Sequence, residues 1–297
     1  MEPNYVIQCI NLTHYYGKKL VYENLNINVA EGRILGLLGK NGAGKSTTIN
    51  ILNGFLEPRS GQCLIYGEDT QNLSPETKRR IGYLIEGHVQ YSFMNVHQIE
   101  KFYSGFYPHW KRDAYFNLIN KLKITPHQKI STMSCGQRAQ VALGLILAQD
   151  PDLLILDDFS LGLDPGYRRL FIDYMREYAK AEGKTVFLTS HIIQDMERLI
   201  DDILIMDYNR VLVQGPVKDF TSRFKEFTFE LDRDDVELKD HPLAVNVEHL
   251  RNHYEFYTYG NETEVKQALE SRGISYRNFK EEPMTLEDAF IGLTGKY

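Results

Sequence analysis

The chain has 297 residues, with 34 Lys plus Arg against 40 Asp plus Glu and a formal net charge of −6. That length permits a sizeable core and sits near the point at which chains divide into two unequal domains, while the negative balance leaves no general footprint for nucleic acid. The longest uninterrupted apolar segment, VALGLILA at 141–148, falls far short of the roughly 18 to 20 residues needed to cross a bilayer, and the three dispersed cysteines, Cys9, Cys63 and Cys135, predict reduced thiols rather than a disulfide framework.

Taken in chain order, MEPNYVIQ has neither the basic region nor the apolar stretch of a signal peptide, which predicts residence in the cytosol. Residues 20–30, LVYENLNINVA, partly alternate polar and apolar positions, as a strand with one covered face does, and ILGLL at 34–38 reads as a buried strand. GKNGAGKST at 39–47 follows at once and leads into Ile49, Ile51 and Leu52, giving the order strand, glycine-rich loop, helix. Between 91 and 129 the chain carries Phe102, Tyr103, Phe106, Tyr107, Trp110, Tyr115, Phe116, Leu118, Ile119 and Leu122 at mixed three- and four-residue intervals. That spacing predicts a helical insert, with most of its aromatics in the core and a few free to form a partner surface.

A helix is predicted over 138–149, a strand over 153–156, a helix over 167–181, a strand over 185–189, a helix over 192–200 and a strand over 203–206. Strands alternating with helices of this length indicate an α/β nucleotide-binding core built on a mainly parallel sheet. A boundary is expected near residue 220. Beyond it, 224–232 and 253–260 read as strands, 262–273 as a short helix and 275–279 as a third strand, enough for a small appended α+β domain.

The run Gly39-Lys40-Asn41-Gly42-Ala43-Gly44-Lys45-Ser46-Thr47 matches the full phosphate-loop pattern in its required strand-loop-helix setting. Glycines let the backbone curve around phosphate oxygens, and the helix N-terminus supplies directed N–H groups. Lys45 is then placed to reach the β- and γ-phosphates, and Ser46 to coordinate magnesium. The apolar strand at 153–156 delivers Asp157 to its C-terminal edge, where an open α/β sheet presents ligand-binding groups, so Asp157 is the expected magnesium partner. None of the nine histidines joins cysteines or acids at a metal-site spacing, so structural zinc is not expected.

With these residues in place, Met133-Ser134-Cys135-Gly136-Gln137, the Gly162-Leu163-Asp164 turn and His191 after the strand at 185–189 make the chain resemble the ATP-binding subunit of an ABC transporter over about residues 5–220. The resemblance implies a P-loop nucleoside triphosphate hydrolase core at 1–220, with a helical subdomain at about 88–140, and an accessory domain at 221–297. It implies ATP and Mg2+, held by Gly39, Asn41, Gly42, Gly44, Lys45, Ser46 and Thr47, with Tyr16 stacking on the adenine and Tyr15 as the close alternative. It further implies a dimer, of identical or related subunits, in which Ser134, Gly136 and Gln137 contact ATP across the seam and Asp164 helps arrange both sites. His191 takes the place of the histidine that contacts the γ-phosphate. The implied partner is a separate polytopic membrane permease, which would hold the chain on the cytoplasmic face of the membrane, and TLEDAFIGLTG at 285–295 resembles the tail of export-type subunits.

Three positions depart from the family pattern. Cys135 replaces the first glycine of Ser-Gly-Gly-Gln. Glu86 stands where many members carry a glutamine that links the magnesium site to the helical region. Asp158 stands where a glutamate usually polarises the attacking water, and its missing methylene is expected to shift the carboxylate by roughly 1 Å, which can slow turnover about 100-fold. Alternatives to transport are a regulatory or sensing dimer with weak hydrolysis and a soluble ATPase of the same type. The absence of a long coiled-coil insertion and of a second tandem core weighs against chromosome- or ribosome-type machines.

Overall fold

The computed structural model describes residues 4–85, 91–121, 123–160, 162–232 and 236–295. The chain divides into two compact units, Met1–Gln214 and Gly215–Tyr297.

The first unit opens with a long hairpin, β1 (Tyr5–Tyr16) and β2 (Lys19–Ala30), followed by β3 (Ile34–Gly39) and helix α1 (Lys45–Leu52). Next come β4 (Ser60–Ile65), β5 (Glu68–Asp69), the short helix α2 (Pro75–Arg79) and β6 (Ile81–Leu84). The helical insert holds α3 (Val96–Ser104), α4 (Arg112–Lys121) and α5 (Cys135–Ala148). The core then resumes with β7 (Leu153–Leu156), α6 (Pro165–Ala181), β8 (Thr185–Thr189), α7 (Ile193–Leu199), β9 (Asp202–Asp207) and β10 (Arg210–Pro216).

These strands form two sheets, ordered β2-β1-β4-β5 and β10-β9-β3-β8-β7-β6. Within the second, β6, β7, β8, β3 and β9 run parallel. Both sheets close on one core, in which Ile7, Leu12, Tyr22 and Ile27 pack with Leu37, Ile155, Phe187 and Met206. Strands buried on both faces account for the unbroken apolar runs of β3, β7 and β8. The parallel register carries the C-terminal ends of β3, β7 and β8 to one edge, where ligands meet an open α/β sheet.

Helix starts follow local chemistry that hydrophobic spacing does not show. Ser134 caps α5 and Gln137 reaches back to the Ser134 N–H, so the helix begins ahead of the predicted residue 138. Asp164 at the N-cap position and Pro165 at the first helical position likewise start α6 ahead of 167. Strands β1, β4, β6 and β10 escaped the hydrophobic pattern. In β1, register shifts between Cys9 and Leu12 and again at Leu12–His14 break the alternation.

The insert is helical as its spacing requires, and its three helices pack on one another. Its aromatics correct the sequence reading: of Phe102, Tyr103, Phe106, Tyr107, Trp110, Tyr115 and Phe116, only Tyr115 is buried. The interior is taken by Val96, Ile99, Leu118 and Ile119, and the Tyr115 hydroxyl donates to the Val96 carbonyl at 3.0 Å. Leu122 lies outside the described residues.

The second unit contains α8 (Val217–Arg223), β11 (Lys225–Leu231), β12 (Asn246–Leu250), β13 (His253–Thr258), α9 (Glu262–Ser271), β14 (Tyr276–Glu282) and α10 (Leu286–Thr294). Its antiparallel sheet runs β12-β13-β11-β14. One face buries Phe227, Phe229 and Phe256 against Val265 and Leu269 of α9. Helix α10 approaches so closely that a Cβ on Gly292 would stand 2.2 Å from the Tyr257 ring. Gly292→Ala should therefore lower stability in urea unfolding of the whole chain by about 1–2 kcal/mol, because a clash with three atoms of one ring falls at the upper end, about 2–3 kcal/mol, of the usual overpacking cost and exceeds the helix-propensity gain of about 1 kcal/mol. An unchanged midpoint would show that α10 does not rest on the sheet at Tyr257.

Candidate functional site

The loop after β3 is shaped by backbone chemistry before any side chain enters. Gly42 (φ 84°) and Gly44 (φ 102°) occupy left-handed conformations, and a Cβ on Gly44 would lie 2.9 Å from the Tyr22 ring. Gly44 is the N-cap of α1 and brings no side-chain oxygen to the first-turn N–H groups of the helix. Lys45 folds back over the loop, its Nζ donating to the Gly39 carbonyl at 2.6 Å and the Lys40 carbonyl at 3.2 Å. Burial lowers the Lys45 pKa, and the carboxylates of Asp158 and Asp157 act against that shift. A half-buried cation beside a curved run of amides is a receptor for a polyanion.

This loop opens onto a cavity of about 370 Å³ lined by Tyr16, Asn41, Gly42, Gly44, Lys45, Ser46, Thr47, Asp157, Asp158 and His191. Residues far apart in sequence thus converge on one cavity. Tyr16, rather than Tyr15, faces the cavity, its hydroxyl 3.4 Å from Thr47 Oγ1. Tyr15 lines a separate opening on the flank of Tyr16.

The two aspartates after β7 occupy different settings. Asp157 Oδ1 accepts from the Thr189 hydroxyl at 2.9 Å, and the same Thr189 oxygen accepts from the Asp158 N–H at 2.9 Å. Asp158 is buried, at 5% exposure, and adopts φ 42°, a left-handed conformation that aspartate tolerates better than most residues. Its Oδ1 accepts from the His191 backbone N–H at 3.4 Å, while Oδ2 stands 3.5 Å from His191 Nε2 and makes no hydrogen bond among the described residues. The short carboxylate therefore reaches the histidine. Ser190 supports the same corner, its hydroxyl 2.7 Å from that of Ser160 and accepting from the Ile192 N–H at 3.0 Å.

Thr189, Ser190, Lys19 and Val21 also line the cavity and were not singled out from the sequence. Thr189 had no local sequence signal: β7 and β8 pair Leu156 with Leu188, and it is the next step of that parallel register that sets Thr189 beside Asp157. Ser134, Gly136, Gln137 and Asp164 do not line this cavity. The first three lie at the N-terminus of α5, where Gln137 Oε1 accepts from the Ser134 N–H at 3.1 Å, and Asp164 precedes α6. Gly39 contributes its carbonyl to Lys45. Glu86 lies outside the described residues.

The donor set suits a small hard cation. The Ser46 hydroxyl and the Asp157 carboxylate share one cavity with Lys45, and magnesium is commonly held by one or two protein oxygens together with substrate phosphates. Among the described residues no group of three or more His, Cys, Asp or Glu forms a dedicated metal cluster.

Comparison with known proteins agrees with this geometry. The family model described as ABC transporter matches residues 22–160. The chain is 30% identical over 301 residues to the Nod factor export ATP-binding protein I of Cupriavidus metallidurans, covering 98% of both sequences. It is 28% identical to the bacitracin transport ATP-binding protein BcrA of Bacillus licheniformis, covering 98% of this chain and 97% of that one. Among solved structures, an ATP-binding subunit of an ABC transporter superposes with a TM-score of 0.65 at 28% identity, over 73% of this chain and 92% of that one.

Proposed function

The chain belongs to the ABC transporter family as an ATP-binding, ATP-hydrolysing subunit, and from that premise we propose that it drives export through a separate membrane-spanning permease. The observation that carries this reading is the convergence of Tyr16, Lys45, Ser46, Asp157, Asp158 and His191 on one cavity. Within the proposed ATP-binding domain, 1–220, the loop from Gly39 to Thr47 wraps the phosphates and Lys45 leaves its carbonyl partners to pair with the β- and γ-phosphate oxygens. Ser46 and Asp157 would hold the magnesium, which would neutralise charge on the triphosphate oxygens. Thr189 fixes the Asp157 carboxylate through its hydroxyl.

Asp158 accepts a proton from the attacking water, and His191 orients the γ-phosphate end of the site, its ring held toward Asp158. The contact between these two residues favours turnover over a purely sensing role. Tyr16 supplies the face on which adenine stacks.

Ser134, Gly136 and Gln137, set apart from the cavity of their own chain, complete the site of a second subunit, and Asp164 lies in the same seam. A linked aromatic run on the helical insert, with Phe93 71% and Phe106 61% exposed, joins Phe93 to Tyr91, Tyr91 to Phe102 and Phe102 to Phe106 by ring contacts. An exposed apolar run of this kind suits a protein partner, and we assign it to the permease. No helix among the described residues is long and apolar enough to cross a membrane; the chain is held at the cytoplasmic face by that partner, and residues 221–297 form an accessory domain.

Light scattering tests the dimer. In an Asp158→Asn background, which retains bound ATP, Mg-ATP should shift the protein from monomer to dimer. Protein that stays monomeric at saturating ATP, both alone and with its membrane partner, would exclude the two-subunit site.

A further inference from the structure

Tyr16 stands at the tip of the β1–β2 hairpin, paired across the turn with Lys19, and Gly17 (φ 61°) makes the turn. Tyr16 is 53% exposed, and among the described residues its side chain is tied by a 3.4 Å hydroxyl contact with Thr47 and a ring contact with His14. The rings of His14 and Tyr16 lie 4.9 Å apart at 77°, the edge-to-face arrangement in which one ring's positive rim meets the other's negative face. The two rings meet on one side of β1 although a register shift falls between His14 and Tyr15. Unlike Tyr16, His14 is buried, at 4% exposure, and its Nδ1 makes no hydrogen bond among the described residues. Burial first, and the neighbouring Arg59 charge second, lower its pKa, so the imidazole is neutral at neutral pH. The imidazole is thus a buried ring abutting an exposed one.

We propose that His14 is a positioning residue for the nucleobase, a buried imidazole whose contact with Tyr16 holds that ring in place as a platform for a purine. The proposal rests on the reading of Tyr16 as the base-stacking residue. An exposed tyrosine loses rotamer freedom when a base stacks on it, and a ring already held by His14 loses less. The gain falls on the base end of the ligand, because Lys45 and the loop amides reach the phosphates themselves and Tyr16 touches the loop through its hydroxyl on Thr47, not through the ring face that His14 braces.

Calorimetric titration of the full-length chain with Mg-ATP and with magnesium tripolyphosphate separates the two ends. His14→Ala should weaken ATP binding by about 3- to 10-fold, the range that ordering one freed side chain costs, and leave tripolyphosphate affinity unchanged. His14→Phe, which keeps an aromatic edge beside Tyr16, should restore most of the ATP affinity. Adding His14→Ala to Tyr16→Ala should cost nothing further, since the contact is already lost. Equal losses for both ligands, no loss for either, or a His14→Phe variant as weak as His14→Ala would overturn the proposal. If Tyr16→Ala weakens ATP binding and His14→Ala does not, only the His14 role fails; if Tyr16→Ala leaves ATP affinity intact, the base-stacking role of Tyr16 fails and takes this one with it.

Discussion

Lys45→Ala should lose most of its affinity for Mg-ATP, by about two orders of magnitude or more, while remaining folded. Removing a cation that pairs with a partly desolvated anion typically costs about 2–5 kcal/mol of binding, because the anion is left without its partner. The fold should tolerate the change. Without nucleotide, the Lys45 ammonium is held by two backbone carbonyls and is disfavoured by its own burial, so its removal relieves that burial and offsets the loss of a positive charge near Asp158 and Asp157. Isothermal titration read beside thermal unfolding checks both halves. Unchanged ATP affinity in a folded Lys45→Ala protein would remove the lysine from the phosphate site.

Asp158→Asn should keep ATP affinity within about threefold yet lower single-turnover hydrolysis about 100- to 10,000-fold, the range by which a positioned general base contributes. Asparagine is nearly isosteric with aspartate and also tolerates a positive φ, so the φ 42° backbone and the Thr189 contact to its N–H should persist. Only the basic carboxylate is lost. Asp158→Glu should lower hydrolysis as well. The native carboxylate already reaches His191 from a buried position, and an extra methylene there has to displace a neighbour. Phosphate release at the wild-type rate from a fully ATP-bound Asp158→Asn protein would take Asp158 out of the chemical step. An Asp158→Glu protein faster than wild type would instead restore the view that aspartate is too short for its role.

The sequence exposed the parts of this site that local signals specify. The order of β3, the glycine-rich loop and α1 was readable because an apolar run, left-handed glycines and a resumed helical pattern occur within a few residues of one another. Asp157 was readable as the first polar residue after a buried strand. The role of Thr189 depends on the pairing of β7 with β8, a contact between segments some thirty residues apart that no local pattern announces. The shortness of Asp158 was readable, and the left-handed backbone that sets its carboxylate 3.5 Å from His191 Nε2 had no sequence signal. Strand β1 was hidden by its register shifts, and with it the His14–Tyr16 ring contact. The aromatics of the insert had helical spacing but nothing to say which face was covered, and most of them stand at or near the surface.

The central claim is that this chain turns ATP hydrolysis into work on a separate membrane protein. The most direct measurement is affinity purification of the full-length chain from native membranes, followed by identification and quantification of whatever is bound in fixed proportion. The account predicts a polytopic membrane protein recovered in stoichiometric amount, whose presence raises ATP turnover by the wild-type chain. Recovery of nucleic acid or ribosomes in that fixed proportion, or an active ATPase dimer with no membrane protein bound to it, would contradict it.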